Sequence, residues 1–288
     1  MSEKGKNVLL SVAAAFICAF VYHVIGRAVY GVIADDYLSP FLAEILFAVL
    51  AAGTVILLGK TDLYRSDPAY LKSGWTSAGL FFVQFAVLGF FGLARLIANG
   101  AHITVMQWLL VIGHVILIGF SEEVLFRGLI QRSFHRLFGE DSFAHVLLAV
   151  ICSGLVFGCA HLINMDRGNP ALAAVLQAGV TVFIGMYLGA IYYRTGKNIW
   201  YVLFLHGFYD FLGMIMNGRA NGSTLNSVLS PNSEALTAQG VALNVLVWGS
   251  VYFGVTLLVL RPKKLKPLLS GGKDGTERAE VRSDVCDL

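Results

Sequence analysis

The sequence predicts an all-α fold, a polytopic membrane bundle of about eight helices, on three observations. Mean hydropathy is +0.71. Hydrophobic residues make up 57% of the 288-residue chain and charged residues only 14%. The apolar residues also fall in blocks of about 20, the length that crosses a hydrocarbon core as a helix, rather than in short alternating runs. A soluble surface is hard to build from such a composition. The spans must be helical because lipid cannot satisfy the open backbone of any other segment.

The blocks are Val8–Val29, Phe41–Leu58, Gly79–Ile97, Ile103–Ile118 running on through Glu122 and Glu123, Phe143–Leu162, Leu172–Tyr193, Ile199–Met216 and Val241–Leu260. The first is long enough to cross and lacks a small-residue cleavage site, so it reads as a helix rather than a removable signal. The second and third enclose a basic connection with Lys60, Arg65 and Lys72. The fourth and fifth are joined by a short turn around Gly139–Ser142, which predicts antiparallel neighbours. The sixth ends at Arg194 and Lys197, the seventh follows at once, and the eighth closes on Arg261, Lys263, Lys264 and Lys266.

Basic residues set the expected orientation. A cytoplasmic N-terminus puts Lys4, Lys6, Lys60, Arg65, Lys72, Arg132, Arg136, Arg194, Lys197, Arg261, Lys263, Lys264 and Lys266 on one side, leaving mainly Arg27, Arg167 and Arg219 on the other. Both termini are therefore expected in the cytoplasm of a multi-pass protein of a cell membrane. The net charge of +3 is a topology signal, and nucleic acid is not an expected partner; the bilayer is.

The rest of the chain carries less chemistry. Cys18, Cys152, Cys159 and Cys286 are scattered without a C-x-x-C pair and read as packing residues. The loop Gly218–Gln239 is polar, and its Asn221-Gly222-Ser223 sequon reads as solvated loop. Beyond Pro267 the chain turns polar and glycine-rich, the composition of a disordered tail, and its Cys286-Asp287-Leu288 end does not fit a prenylation signal. No internal repeat or phosphate-binding glycine loop is visible. The expected organisation is N-terminal transmembrane helices over 1–102, a core over 103–216, a non-cytoplasmic loop over 217–240, the last helix with its basic flank over 241–266, and the tail over 267–288.

Ionisable residues inside spans are costly, and they mark functional sites by default. Glu122 and Glu123 lie side by side, with Arg127 four residues after the second. On a helix Glu123 and Arg127 share a face while Glu122 points about 100° away, so one carboxylate is neutralised and the other is left without a local cation, a condition that suits a general base. His206 and Asp210 repeat the four-residue spacing, which would let Asp210 orient the imidazole or line the same cavity. Phe157 and His161 do so too, the ring forming an apolar wall beneath the histidine. Glu122 and His161 are nearly equidistant from the Gly139–Ser142 turn, so an antiparallel pair brings them level. His206 lies nearer its own cytoplasmic loop, and helices extending past the membrane would reconcile the three depths. A Glu–Arg pair can equally serve helix packing, and a histidine can hydrogen-bond across helices. His23, His102 and His114 lack such company, His114 reading as a polar packing residue, and His135 and His145 flank the turn and read as solvated.

The run Ser121-Glu122-Glu123-Val124-Leu125-Phe126-Arg127-Gly128 resembles the E-E-x-x-x-R signature of the CPBP intramembrane proteases, the type II CAAX prenyl endopeptidases and the bacteriocin-processing and immunity proteins. Phe157-Gly158-Cys159-Ala160-His161 is similar to the family's F-x-x-x-H motif, and His206-Gly207-Phe208-Tyr209-Asp210 to its H-x-x-x-N/D motif. The three stand in family order over about Gly119 to Asp210, so 103–216 reads as a CPBP-like core.

The resemblance implies an intramembrane endopeptidase acting on a membrane-associated peptide or protein, prenylated or a peptide precursor. Its site would be Glu122, Glu123, Arg127, His161, His206 and Asp210. Glu122 and His161 would activate water, and His206 with Asp210 would stabilise the oxyanion. No cofactor is expected, although Glu122, His161 and His206 would be the zinc ligands if one were used. Asp210 stands where Asn is commoner; an ionised Asp only accepts hydrogen bonds, which leaves its role open. The alternative is a non-catalytic membrane partner, such as a bacteriocin-immunity or sensor-regulating protein, and a transporter is a third.

Overall fold

The computed structural model describes residues 2–98, 100, 102–167, 171–216 and 237–265. Most of the loop after Met216, the Asn221 sequon, Arg219 and the tail with Cys286 lie outside the described residues. The helices are α1 (Glu3–Val32), α2 (Leu38–Leu57), α3 (Leu71–Ser77), α4 (Gly79–Ala98), α5 (Val105–Glu123), α6 (Arg132–Phe138), α7 (Phe143–Ala160), α8 (Ala171–Arg194), α9 (Ile199–Met216), α10 (Ala238–Val259) and α11 (Pro262–Leu265). No strand occurs among the described residues.

Polar side chains start these helices where the sequence offers them. Ser2 accepts from Gly5 N at 3.2 Å, Ser142 from His145 N at 3.2 Å and Thr237 from Gly240 N at 3.0 Å, each satisfying an orphan donor of a first turn. Thr104 and Gln107 form a reciprocal capping box at the head of α5. Between α6 and α7 the chain reverses at Gly139, whose φ of 94° is unfavourable for a residue with a Cβ.

Among the described residues seven helices are long and apolar enough to cross a membrane, and the apolar part of α9, Ile199–Ile215, falls just short. All eight expected blocks are helical. The fourth is much longer than expected: α5 and α6 are joined without a break, giving one helical column over Val105–Phe138 of 34 residues. At about 1.5 Å per residue it is roughly 50 Å long against a hydrocarbon core of about 30 Å. Helix α3 and the short 3₁₀ turns Thr61–Tyr64 and Pro68–Tyr70 fill the connection that the sequence left unassigned.

Helix α5 packs between α2 and α9, α7 lies on α8, α8 on α10, α4 on α9 and α1 on α2. Where α5 meets α9 the backbones touch. A Cβ on Gly119 would lie 2.8 Å from Leu203 O, and one on Gly207 would lie 2.9 Å from Val115 O. Side chains this small let helices associate in lipid through backbone contact and van der Waals packing. The buried core gathers Leu125, Leu129, Phe157, Phe81, Tyr187, Tyr192 and Tyr252, while large apolar side chains such as Leu57, Phe90 and Val105 face outward.

One end of the bundle collects the basic loops. Arg132 pairs with Asp62 at 2.5 Å, Lys197 with Glu140 at 2.5 Å, Lys60 donates to Ser11 Oγ at 3.2 Å, and Arg194 donates to Lys264 O. The residues grouped by charge in the sequence are therefore neighbours in space. Cys18 lies between α1 and α2 with its thiol 2.9 Å from Thr54 Oγ1, a packing position as expected.

Candidate functional site

Beyond Glu123 the helix widens into a π-helical stretch, Val124–Gln131. Such stretches are rare and are frequent at functional sites. Over four residues an α-helix overshoots a full turn by about 40°, whereas the wider turn falls short of one. A row spaced by four therefore stays on one face across the change. The row is Arg127, Gln131 and His135, and it meets α8 at matching intervals. Arg127 Nη2 donates to Gly185 O at 3.3 Å and Gln131 Nε2 to Gly189 O at 2.9 Å, and the His135 ring lies 5.0 Å from that of Tyr193.

Glu123 and Arg127 form the expected pair, Nη1 to Oε1 at 3.1 Å, both side chains fully buried. Arg127 also stands 4.3 Å over the Phe157 ring, a favourable place for a cation. Phe157 is the common floor of the site: its ring meets His161 edge-on at 4.8 Å and His206 at 5.9 Å. Its carbonyl lies 2.9 Å from His161 Nδ1. A carbonyl only accepts, so Nδ1 carries the proton and, in the neutral ring, Nε2 presents its lone pair.

That Nε2 faces Glu122, 4.0 Å from Oε2, and His206 Nε2 faces the same oxygen at 3.7 Å. The contact between α5 and α9 at Gly119 and Gly207 brings His206 in, and the α6–α7 turn brings His161 level. Glu122, His161 and Asp210 are partly open, at 20%, 15% and 29% exposure, and His206 is nearly closed at 9%.

One expectation about pairing needs correction. Glu122 does not point away from Glu123's partners. The adjacent carboxylates take opposite edges of one imidazole, Glu123 Oε1 at 2.7 Å from Nδ1 and Glu122 on the Nε2 side. Long side chains on neighbouring residues converge because the closely packed α9 puts the ring between them. Glu123 holds Nδ1, and Asp210 Oδ2 lies 3.5 Å from Nε2 of the same imidazole. Glu123 thus joins the architectural pair to the histidine.

The remaining histidines divide. His145 is exposed and bonds Asp141 at 2.6 Å as a surface pair, and His102 is exposed. His23 and His114 are buried. His135 was expected in solvent and is instead buried, 3.3 Å from Gln131 Nε2, because α6 continues the α5 column and turns that face onto α8. Two polar positions escaped the sequence reading. Gln131 continues the four-residue row from Arg127, a spacing that was available. Glu44, an acid inside the second block, is buried and accepts from Tyr22 Oη at 2.8 Å.

Zinc would need ligands that converge. Donors about 2.0–2.1 Å from a tetrahedral ion stand roughly 3.4 Å apart, and the 3.7 and 4.0 Å separations are wider. Among the described residues no group of three or more His, Cys, Asp and Glu is arranged to hold a metal ion. The arrangement can hold a small polar molecule between a carboxylate and two imidazole nitrogens over an aromatic floor.

No curated protein matches the chain. Residues 104–212 match the family model described as type II CAAX prenyl endopeptidase Rce1-like, and this segment runs from the capping box of α5 into α9, enclosing all six residues of the cluster. Over residues 104–212 the chain is therefore similar to the Rce1-like type II CAAX prenyl endopeptidases, a protease family.

Proposed function

We propose that this protein is an intramembrane endopeptidase that hydrolyses a peptide bond of a membrane-associated substrate with a water activated by Glu122. The observation that carries the reading is the position of Glu122 Oε2, 4.0 and 3.7 Å from the Nε2 atoms of His161 and His206 in a place only 20% exposed. A water there lies within reach of a base and of an oriented lone pair, the arrangement that general-base hydrolysis requires. Glu122 takes the proton as the oxygen attacks the scissile carbonyl. His161, fixed through Nδ1–H to Phe157 O, accepts a hydrogen bond from the same water and orients it. His206, held by Glu123 at Nδ1, donates from Nε2 as the imidazolium to the developing oxyanion, and Glu123 stabilises that cation. Asp210 lies on the Nε2 side of His206, where in its protonated form it donates and in its ionised form it holds the imidazolium.

The family match supports the peptidase reading over an immunity or sensor-regulating partner and over a transporter. The test is Glu122→Gln, which keeps shape and removes basicity. Cleavage of membrane-tethered peptides should fall by roughly 10²–10⁴ with unchanged thermal stability, and near parental turnover would overturn the assignment.

A further inference from the structure

The basic end of the bundle contains a group of side chains that the proposed chemistry does not use. Lys60 follows the end of α2, and its ammonium donates to Ser11 Oγ of α1 at 3.2 Å. That hydroxyl is 2.8 Å from Ser133 Oγ of α6. Arg132, the residue before Ser133, reaches back to Asp62 at 2.5 Å. Lys60 and α6 are thus tied by two routes, and Arg136 stands one turn beyond Arg132 on the same face. Of these three cations only Arg132 is paired with a carboxylate. Arg136 is exposed, and neither it nor Lys60 forms an ion pair with a carboxylate among the described residues.

Partial burial pushes the Lys60 ammonium below its ordinary range, and Arg136 and Arg132 push it the same way, against Asp62. An anion placed among the three would relieve that repulsion. The surface next to the cluster is greasy. Ile56 and Leu57, within one turn of Lys60, are 64% and 87% exposed, and Leu9 and Leu10 beside Ser11 are 59% and 50% exposed. Free phosphate has no use for that apolar surface, whereas a phospholipid has chains to lay on it and a phosphate to reach the cations.

We propose that Lys60, Arg132 and Arg136 form a binding site for the phosphate of an anionic phospholipid, whose acyl chains lie against Ile56, Leu57, Leu9 and Leu10. The site is separate from the Glu122 cluster, and its lipid would fix the junction of α1, α2 and α6. Guanidinium groups give the directional contacts to phosphate oxygens and Lys60 the point charge.

The experiment uses the full chain purified in mild detergent, with binding of phosphatidylglycerol, phosphatidylcholine of the same chains, and inorganic phosphate followed by thermal shift and by native mass spectrometry. Phosphatidylglycerol should bind at least tenfold more tightly than phosphatidylcholine, with a preference that weakens as salt is raised. Lys60→Gln with Arg136→Gln should abolish the preference, while Lys263→Gln with Lys264→Gln, at another basic stretch, should leave it intact. Should the double variant not fold, Arg136→Gln alone carries the test, because its side chain is exposed and forms no ion pair among the described residues. Equal binding of the two lipids, an unchanged preference in the Arg136 variant, or inorganic phosphate protecting as well as phosphatidylglycerol would each overturn the proposal.

Discussion

Replacing Arg127 by alanine should destabilise the bundle severely, and the structure indicates by how much. The guanidinium is fully buried, 3.1 Å from Glu123 Oε1, 3.3 Å from Gly185 O and 4.3 Å over Phe157. Breaking a buried pair by removing one member typically costs about 3–5 kcal/mol, because the partner charge is stranded. Here Glu123 keeps its bond to His206 Nδ1 at 2.7 Å, which pulls the electrostatic part toward the lower end. The lost bond to Gly185 O and the cavity over Phe157 act in the other direction. A net loss of about 4 kcal/mol corresponds to a fall in Tm on the order of 10 °C. Thermal unfolding of the detergent-solubilised protein, followed by tryptophan fluorescence, measures it. Because the strandable charge is Glu123, adding Glu123→Gln to Arg127→Ala should recover part of the loss, a coupling that a double-mutant cycle isolates. A single variant that melts within a degree of the parent while losing all activity would refute the architectural role and move Arg127 into the chemistry.

Gly207→Val puts side-chain carbon against Val115 O, which a bare Cβ would already approach to 2.9 Å; a shift of about 1 Å in α9 should cost roughly 10²-fold in activity with helical content retained, and full activity would show that His206 tolerates displacement. Cysteine labelling in intact cells should reach positions 36 and 102 from outside and leave positions 6, 67 and 263 protected, as the charge bias requires; outside labelling at 263 would break the proposed placement of both termini in the cytoplasm. The purified protein should contain no stoichiometric zinc and should keep its activity in EDTA, while His161→Ala is inactive because the water is no longer oriented. One zinc per chain, with activity lost on chelation and restored by the metal, would make Glu122 or Asp210 a ligand.

The amino-acid sequence by itself determined the helical membrane fold, because blocks of about 20 apolar residues leave the backbone no other state in lipid. It also marked the candidate residues, since Glu122, Glu123, Arg127, His161, His206 and Asp210 stand out chemically in apolar surroundings and the spacings of four put Glu123 with Arg127 and Phe157 with His161. Tertiary structure decided which carboxylate meets which nitrogen. Helical periodicity separates Glu122 from Glu123 by about 100°, yet both reach His206, because the rotation and approach of α9 are set by backbone contact at Gly119 and Gly207 rather than by anything in α5. The π-helical stretch was equally invisible, being a backbone register without a composition of its own. Through it Gln131 and the buried His135 face α8. Local periodicity fixes the angle of a side chain about its own helix axis, and the partner it meets depends on where another helix, far away in the chain, comes to rest.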